Sequence, residues 1–205
     1  GVMSKIEFAV RWTHVFMGII WIGHLYFFNF VNLQLQGKMD DPTKKLVNPH
    51  LMPRALWWFR WGAMVTFLSG LILFAQIFMY TPEIGWGSNM LLKSIEGGLT
   101  DRARWIMWGM VFGSIMWFNV WFIIWPAQKK LLGGTAGDAA PALRTRAATA
   151  SRINTYLSAP MLVGMLGAGH AGMSFSYGAL LTAAFLGLAM IKAAYVHSTF
   201  VGQTV

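Results

Sequence analysis

Four of the five histidines of this 205-residue chain, His14, His24, His170 and His197, fall within or at the ends of long apolar blocks. An ionisable side chain at membrane depth is costly, and its usual justification is a proton path or the ligation of a metal. With no cysteine present, imidazole is the soft-to-borderline ligand available for an iron or copper centre. His14 has Arg11 at i−3 and Gly18 at i+4 on its own helical face. Gly18 removes bulk where a flat macrocycle could approach, and Arg11, nearer the surface, could pair with a propionate. His170 sits in the run Gly164-Met-Leu-Gly-Ala-Gly-His-Ala-Gly172, where glycines, Gly167 among them, again clear space around an imidazole. The same pieces also read as ordinary membrane packing, with a hydrogen-bonded histidine and small residues at a helix seam.

Phase and depth separate the remaining histidines. His24 follows His14 by ten residues, which places it about 80° further round the helix at 100° per residue. One face therefore does not carry both. His24 with His197, at the far end of the last block, forms a second and weaker candidate site. His50, in an Asn-Pro-His stretch, reads as an exposed loop residue. Among the polar residues inside the blocks, Asn119 is the best placed for a cofactor contact; a bond across a helix interface is the alternative. The carboxylates lie outside the blocks apart from Glu7, so a carboxylate proton relay is not supported.

The elements that must hold these residues are membrane helices. Hydrophobic residues make up 56% of the chain and charged residues 11%, against about 25% charged in a soluble domain. The absence of cysteine excludes disulfides, thiolate-held iron–sulfur clusters and covalent haem attachment. The pattern predicts an all-α bundle forming a single transmembrane domain over residues 1–205. Its five spans cover about residues 8–33, 55–80, 105–125, 151–172 and 175–197. Pro126 ends the third span, Pro160 interrupts the fourth, and residues 36–53 form a polar loop with Pro42, Pro49 and Pro53. A short interfacial helix is expected over residues 90–95, and a surface loop over 132–150. The first block is not read as a cleavable signal, since it carries Arg11, His14 and His24 and lacks a small-residue cleavage site.

The net charge of +9 is concentrated in two loops, around Lys44–Arg54 and Lys129–Arg152. The loop between residues 81 and 104 balances its charges. This is a positive-inside distribution, which puts the N-terminus outside and the C-terminus inside and calls for no polyanionic partner. Nucleic-acid binding is accordingly not expected.

Several stretches resemble one family: Arg11-Trp-Thr-His-Val-Phe-Met-Gly-Ile-Ile-Trp-Ile-Gly23, Trp58-Phe-Arg-Trp61 with Leu68-Ser-Gly70, Gly113-Ser-Ile-Met116 leading to Asn119 and Pro126-Ala-Gln-Lys-Lys130, and Asn154-Thr-Tyr-Leu-Ser-Ala-Pro160 running on to His170. In this order they resemble the membrane domain of the bacterial membrane-bound urate hydroxylases. The opening motif is also similar to the haem-binding membrane protoporphyrinogen oxidases. The resemblance touches the first four helices and weakens in the fifth; His14 and His170 match histidine positions, and His24 does not. It implies a bacterial inner-membrane protein linked to cytochrome c. The family carries extra hydrophobic segments where Thr81 to Arg104 stands here, and more polar residues at Trp57 and Gly62.

Three functions follow as expectations. The first is a cytochrome b-like electron-transfer subunit of a larger membrane complex. It would hold haem b, one or two copies, through His14 and His170 as axial ligands, and exchange electrons with a quinol or a separate cytochrome c. The second is a urate hydroxylase-like enzyme using a separately encoded cytochrome c, since the chain contains no Cys-x-x-Cys-His stretch. The third is a structural or pigment-binding subunit whose histidines pack or ligate singly.

Overall fold

The computed structural model describes residues 1–170 and 172–205; Ala171, inside the expected fourth span, lies outside the described residues. Among the described residues there are five long helices. Helix α1 runs Val2–Lys38, α2 Asp41–Phe78 and α3 Asp101–Leu132. Helix α4 runs Ala140–His170 and α5 Tyr177–Ser198. A two-stranded antiparallel hairpin, β1 Tyr80–Thr81 and β2 Gly85–Trp86, follows α2.

Four of these helices, α1, α2, α3 and α5, are long and apolar enough to cross a membrane. The remaining expected span, in α4, does not reach that measure of length and hydropathy. Helix α4 falls short because its polar residues are buried within the bundle: Asn154, Thr155 and Ser158 are fully enclosed. The outer faces carry the apolar residues instead. Phe185 and Met190 on α5 are each 72% exposed, a surface suited to lipid and not to water.

The helices extend further than the apolar blocks. Asp40 accepts from the Thr43 amide at 2.9 Å and so caps α2, with Pro42 in the first turn, where its missing N–H is not needed. The expected loop over residues 36–53 is therefore helical on both sides of Met39 and Asp40. Pro49 and Pro53 lie inside α2, and the carbonyls they leave unpaired, on Lys45 and Pro49, belong to exposed residues. Reciprocal amide bonds between Gln36 and Asn48, 2.8 and 3.0 Å, tie the end of α1 to this part of α2.

Pro126 does not end α3. The segment Asn119–Ile124 immediately before it is π-helical, the Trp125 amide bonding back to Val120, and the wider turn absorbs the proline. A second π segment, Phe27–Asn32, lies in α1. The expected interfacial helix at residues 90–95 is absent; these residues form turns and a bridge between Lys93 and Leu99. Asn89 donates to the carbonyls of Ile77 and Tyr80 and so closes the end of α2. The expected 132–150 loop shrinks to a turn and a short 3-10 piece, Gly137–Ala139.

Three seams hold the bundle, each built on glycine. A Cβ on Gly62 would meet the Trp21 backbone at 3.2 Å, so α1 and α2 run in close antiparallel contact. One on Gly164 would lie 2.5 Å from the Gly109 nitrogen, which fixes α3 against α4 backbone to backbone. One on Gly187 would lie 2.7 Å from Ala159 Cβ, seating α5 beside Pro160. The apolar centre is made by Trp21, Leu25, Phe59, Met116, Val120 and Met161.

Candidate cofactor site at His14

His14 points from α1 toward α2. Its Nδ1 lies 2.8 Å from the Thr66 carbonyl oxygen and 3.3 Å from Ser69 Oγ. A carbonyl only accepts, so Nδ1 carries the proton. The Ser69 hydroxyl donates to the Val65 carbonyl at 2.6 Å, and toward the imidazole it too acts as acceptor. The lone pair is therefore on Nε2, the arrangement by which a second contact fixes the tautomer of a ligating histidine. The edge of the ring lies against α2: a Cβ on Gly70 would come within 2.9 Å of His14 Cε1.

A cavity of about 500 Å³ opens at this histidine, enclosed by α1, α2, α3 and α4. Gly18, Gly70 and Gly113 contribute bare backbone to it, while Met161 and Met165 of α4 supply thioether surface. A Cβ on Gly18 would meet only Thr66 Cγ2 at 3.8 Å, so packing does not demand a glycine there and the residue leaves volume open. Trp21, only 3% exposed, lines the same space, and its indole N–H finds no partner among the described residues. No Arg, Lys, Asp, Glu, Asn or Gln lines the cavity. Its polar groups are His14, Trp21, Tyr26, Thr66 and Ser114.

The other expected site residues are placed as follows. Arg11 forms an ion pair with Glu7 at 2.8 Å on the exposed face of α1 and does not line the cavity. Asn119 donates to Asn154 Oδ1 at 2.8 Å, and Asn154 in turn donates to the Met116 carbonyl at 3.0 Å. It thus joins α3 to α4 and does not face the cavity. Gly167 packs on the Trp105 indole, where a Cβ would lie 3.1 Å from the ring. Gly164 and Gly167 therefore serve a helix seam, while Gly169 has open space beside it. His170 is exposed, one turn beyond Leu166, the last residue of α4 on the cavity wall. The structure brings His14 and Gly18 together and leaves His170, Arg11, Asn119 and Gly167 off that wall.

His24 faces a separate groove between α1 and α2, consistent with its different helical phase. Its Nδ1 lies 2.7 Å from the Ile20 carbonyl, which again leaves the Nε2 lone pair free. The groove also contains His50 and Arg54, but not His197. His197 is exposed at the end of α5 with its ring against Phe200. His50 belongs to α2 and not to a loop. Among the described residues no group of three or more His, Asp or Glu side chains is placed to hold a metal ion.

Sequence reasoning missed Gly70, Thr66, Ser69 and Trp21. A signal existed for three of them: Gly70 and Ser69 lie in Leu68-Ser-Gly70 and Trp21 lies in the Arg11–Gly23 stretch, both of which carry the family resemblance. No sequence signal marks a carbonyl acceptor such as that of Thr66.

The chain matches the family described as urate oxidase N-terminal over residues 36–87 and 89–204. No curated protein and no solved structure matches it. The matched region takes in α2 to α5, including the fifth helix where the resemblance was weakest, and leaves residues 1–35, with His14 and His24, outside. Its two parts meet at residue 88, in the segment expected to replace the family's additional hydrophobic stretches. A match of this extent makes the chain a member of the urate oxidase N-terminal family.

Proposed function

We propose that this protein is a membrane-embedded redox subunit that holds haem b in the cavity under His14. The observation that carries this reading is the imidazole itself: Nδ1 tied to the Thr66 carbonyl, Nε2 free, and a glycine-lined apolar cavity of about 500 Å³ beside it. That volume lies within the range of small-molecule and cofactor sites. The lining suits a large apolar macrocycle better than a small polar heterocycle, which would leave its many donors and acceptors unpaired.

When bound, haem supplies a one-electron iron couple whose potential is set by axial ligands and burial. His14 would hold the group through Nε2, and Thr66 and Ser69 hold its ring in place. The Trp21 N–H offers a donor to a polar edge of the macrocycle. Met161 and Met165 line the same cavity, exclude water from it and would supply thioether sulfur to the group. His170 is exposed and off the cavity wall, so methionine takes precedence over it in this reading. Arg11 is free to leave Glu7 for a propionate at the membrane surface.

The polypeptide sits in the bacterial inner membrane with five crossings, N-terminus outside and both basic loops inside, α4 crossing in the shelter of its neighbours. Its electron partners are a quinol and a separate cytochrome c within a larger complex. The absorption spectrum of the purified protein tests the reading. A Soret band lost in His14→Ala supports it, and a colourless preparation from haem-replete cells overturns it.

The family description favours a second reading, oxidation of urate or a related heterocycle. Urate-dependent reduction of added cytochrome c by membranes containing the protein, absent from control membranes, would establish it.

A further inference from the structure

We infer that the cavity under His14 opens sideways into the bilayer, through a slot between α1 and α4, and takes up its ligand from the lipid phase. On the reading above, that ligand is haem dissolved in the membrane. The helices pair off around the cavity. Backbone contact joins α1 to α2 at Gly62 and α3 to α4 at Gly164, which leaves no room for a passage within either pair. Two sides remain between the pairs. The side between α2 and α3 is shut by aromatic rings. Phe67, on the cavity wall, stacks on Trp117 with ring centroids 4.1 Å apart. One turn further, Trp121 donates to the Arg60 carbonyl at 2.9 Å.

The side between α1 and α4 is bonded at one end only. Tyr26 Oη lies 2.7 Å from Ser158 Oγ, and Asn29 donates to Ser151 Oγ at 2.9 Å. From Tyr26 toward the start of α1, no hydrogen bond joins the two helices among the described residues. The two bonds set an antiparallel register that puts Ile19 level with about Leu162 and Val15 level with about Leu166. All four residues line the cavity. Yet Ile19 is 67% exposed, Leu166 57%, Val15 54% and Leu162 40%. Side chains that reach both the hollow and the outer surface stand at its mouth, so these four form the lips, one turn apart on each helix. No residue of α5 lines the cavity, so that helix does not close the slot. Every lip residue is aliphatic. The outer faces of α1 and α5 carry further exposed apolar side chains, Phe16 and Phe185 among them. A mouth of this composition opens on lipid tails, and a solute rich in polar groups would have to shed its water to enter it. Behind the lips, the thioethers of Met161 and Met165 can yield to a bulky ligand. His14 Nε2 and the unpartnered Trp21 N–H are the acceptor and the donor it finds inside.

The chain has no cysteine, so a single introduced thiol reports access without interference. Ser114→Cys places one on the cavity wall. Gly18→Cys, at a position where a Cβ meets only Thr66 at 3.8 Å, is the second probe. The full-length protein in lipid vesicles is treated with a long-chain N-alkyl maleimide, which dissolves in the bilayer, or with a sulfonated maleimide, which stays in water. Labelling by the first reagent and not by the second is expected at both positions. Ser158→Cys, fully enclosed and off the cavity, should react with neither. Every thiol should react with both once the protein is unfolded in denaturing detergent. Adding Leu162→Trp or Ile19→Trp at the lips should slow labelling by the alkyl reagent, and Phe185→Trp on α5 should leave it unchanged. Labelling by the sulfonated reagent overturns the proposal in favour of a mouth on water. Labelling by neither overturns it in favour of a closed cavity, and a rate indifferent to both lip variants overturns the slot between α1 and α4. Haem presented in the vesicle membrane gives a second readout: Leu162→Trp should slow the growth of the Soret band without moving its position. If the wild type never develops that band, the haem reading falls, and the thiols still decide the slot.

Discussion

Gly164→Ala is the sharpest test of how α3 and α4 are held. The added methyl carbon would lie 2.5 Å from the Gly109 nitrogen, 2.6 Å from its Cα and 2.9 Å from the Trp105 carbonyl oxygen. All three are backbone atoms, so no side chain can rotate away. To restore ordinary contact the helices must part by roughly 1 Å, the gap between these distances and a normal carbon contact of about 3.5 Å. The Asn119–Asn154 bond, 2.8 Å across the same seam, would then stretch beyond useful range. Overpacking costs about 1–3 kcal/mol and the lost buried bond adds about 1 kcal/mol, giving about 2–4 kcal/mol in all. Gly169→Ala is the matched control, because a Cβ there meets nothing within 4 Å. The assay is reversible unfolding in mixed micelles by titration with denaturing detergent, with wild type and both variants compared at the same lipid fraction. A large loss for Gly164→Ala with little for Gly169→Ala is expected. Equal midpoints for the two variants would refute the close backbone seam and every placement that depends on it.

Gly70→Ala, whose methyl would press on His14 Cε1 at 2.9 Å, should shift or broaden the Soret band and reduce bound haem, while Gly18→Ala, whose methyl enters the cavity without touching His14, should reduce bound haem and leave the band position of the remainder unchanged; absorbance per protein checks this. Asn154→Leu strands the Asn119 amide in the core and should cost about 1–3 kcal/mol, read in the same unfolding assay. Trp21→Phe removes a buried indole N–H that has no protein partner; it should leave the cofactor-free protein at wild-type stability or slightly above and weaken only the loaded form. Hydrogen bonds from the Thr43 side chain and amide hold the Asp40 carboxyl below its usual range. A depressed folded value means that its capping contribution is complete above the ordinary carboxylate pKa, about 3.9, and is lost as pH falls through the lowered value. Amide protection in the first turn of α2, taken relative to the unstructured rate at each pH, should fall in that acidic window and show no such fall in Asp40→Asn.

Much of the scaffold was legible in the sequence because lipid imposes a simple rule on long apolar blocks. The ends were not. Hydropathy stops where charged residues begin, yet the backbone ladder continues, so α2 starts at Asp41 rather than near residue 55. Pro126 reads as a stop unless the π turn before it is known, and no local pattern announces that turn. Helix α4 shows the reverse difficulty. Its Asn154, Thr155 and Ser158 lower its hydropathy precisely where it is most enclosed, because their partners lie on other turns and other helices. The site was half legible. His14 with Gly18 could be found from spacing, and the angle between His14 and His24 foretold two separate hollows. Glycine is ambiguous in sequence: Gly18 opens a cavity, while Gly164 and Gly167 close a seam. That His24 and His50 line one groove depends on the register of two helices, which only packing decides.

The cavity under His14 and the groove at His24 share two wall residues, Ile19 and Gly23. A ligand in either hollow therefore bears on the same two residues. Ile19 is branched at Cβ and has few rotamers, so a ligand that crowds it from one side changes the shape offered to the other. Any factor by which occupancy of the first hollow alters affinity in the second must be returned in full when the order is reversed. Gly23 has open space around it, so a larger side chain there would enter both hollows at once. Variation at this one position therefore cannot tune either ligand alone.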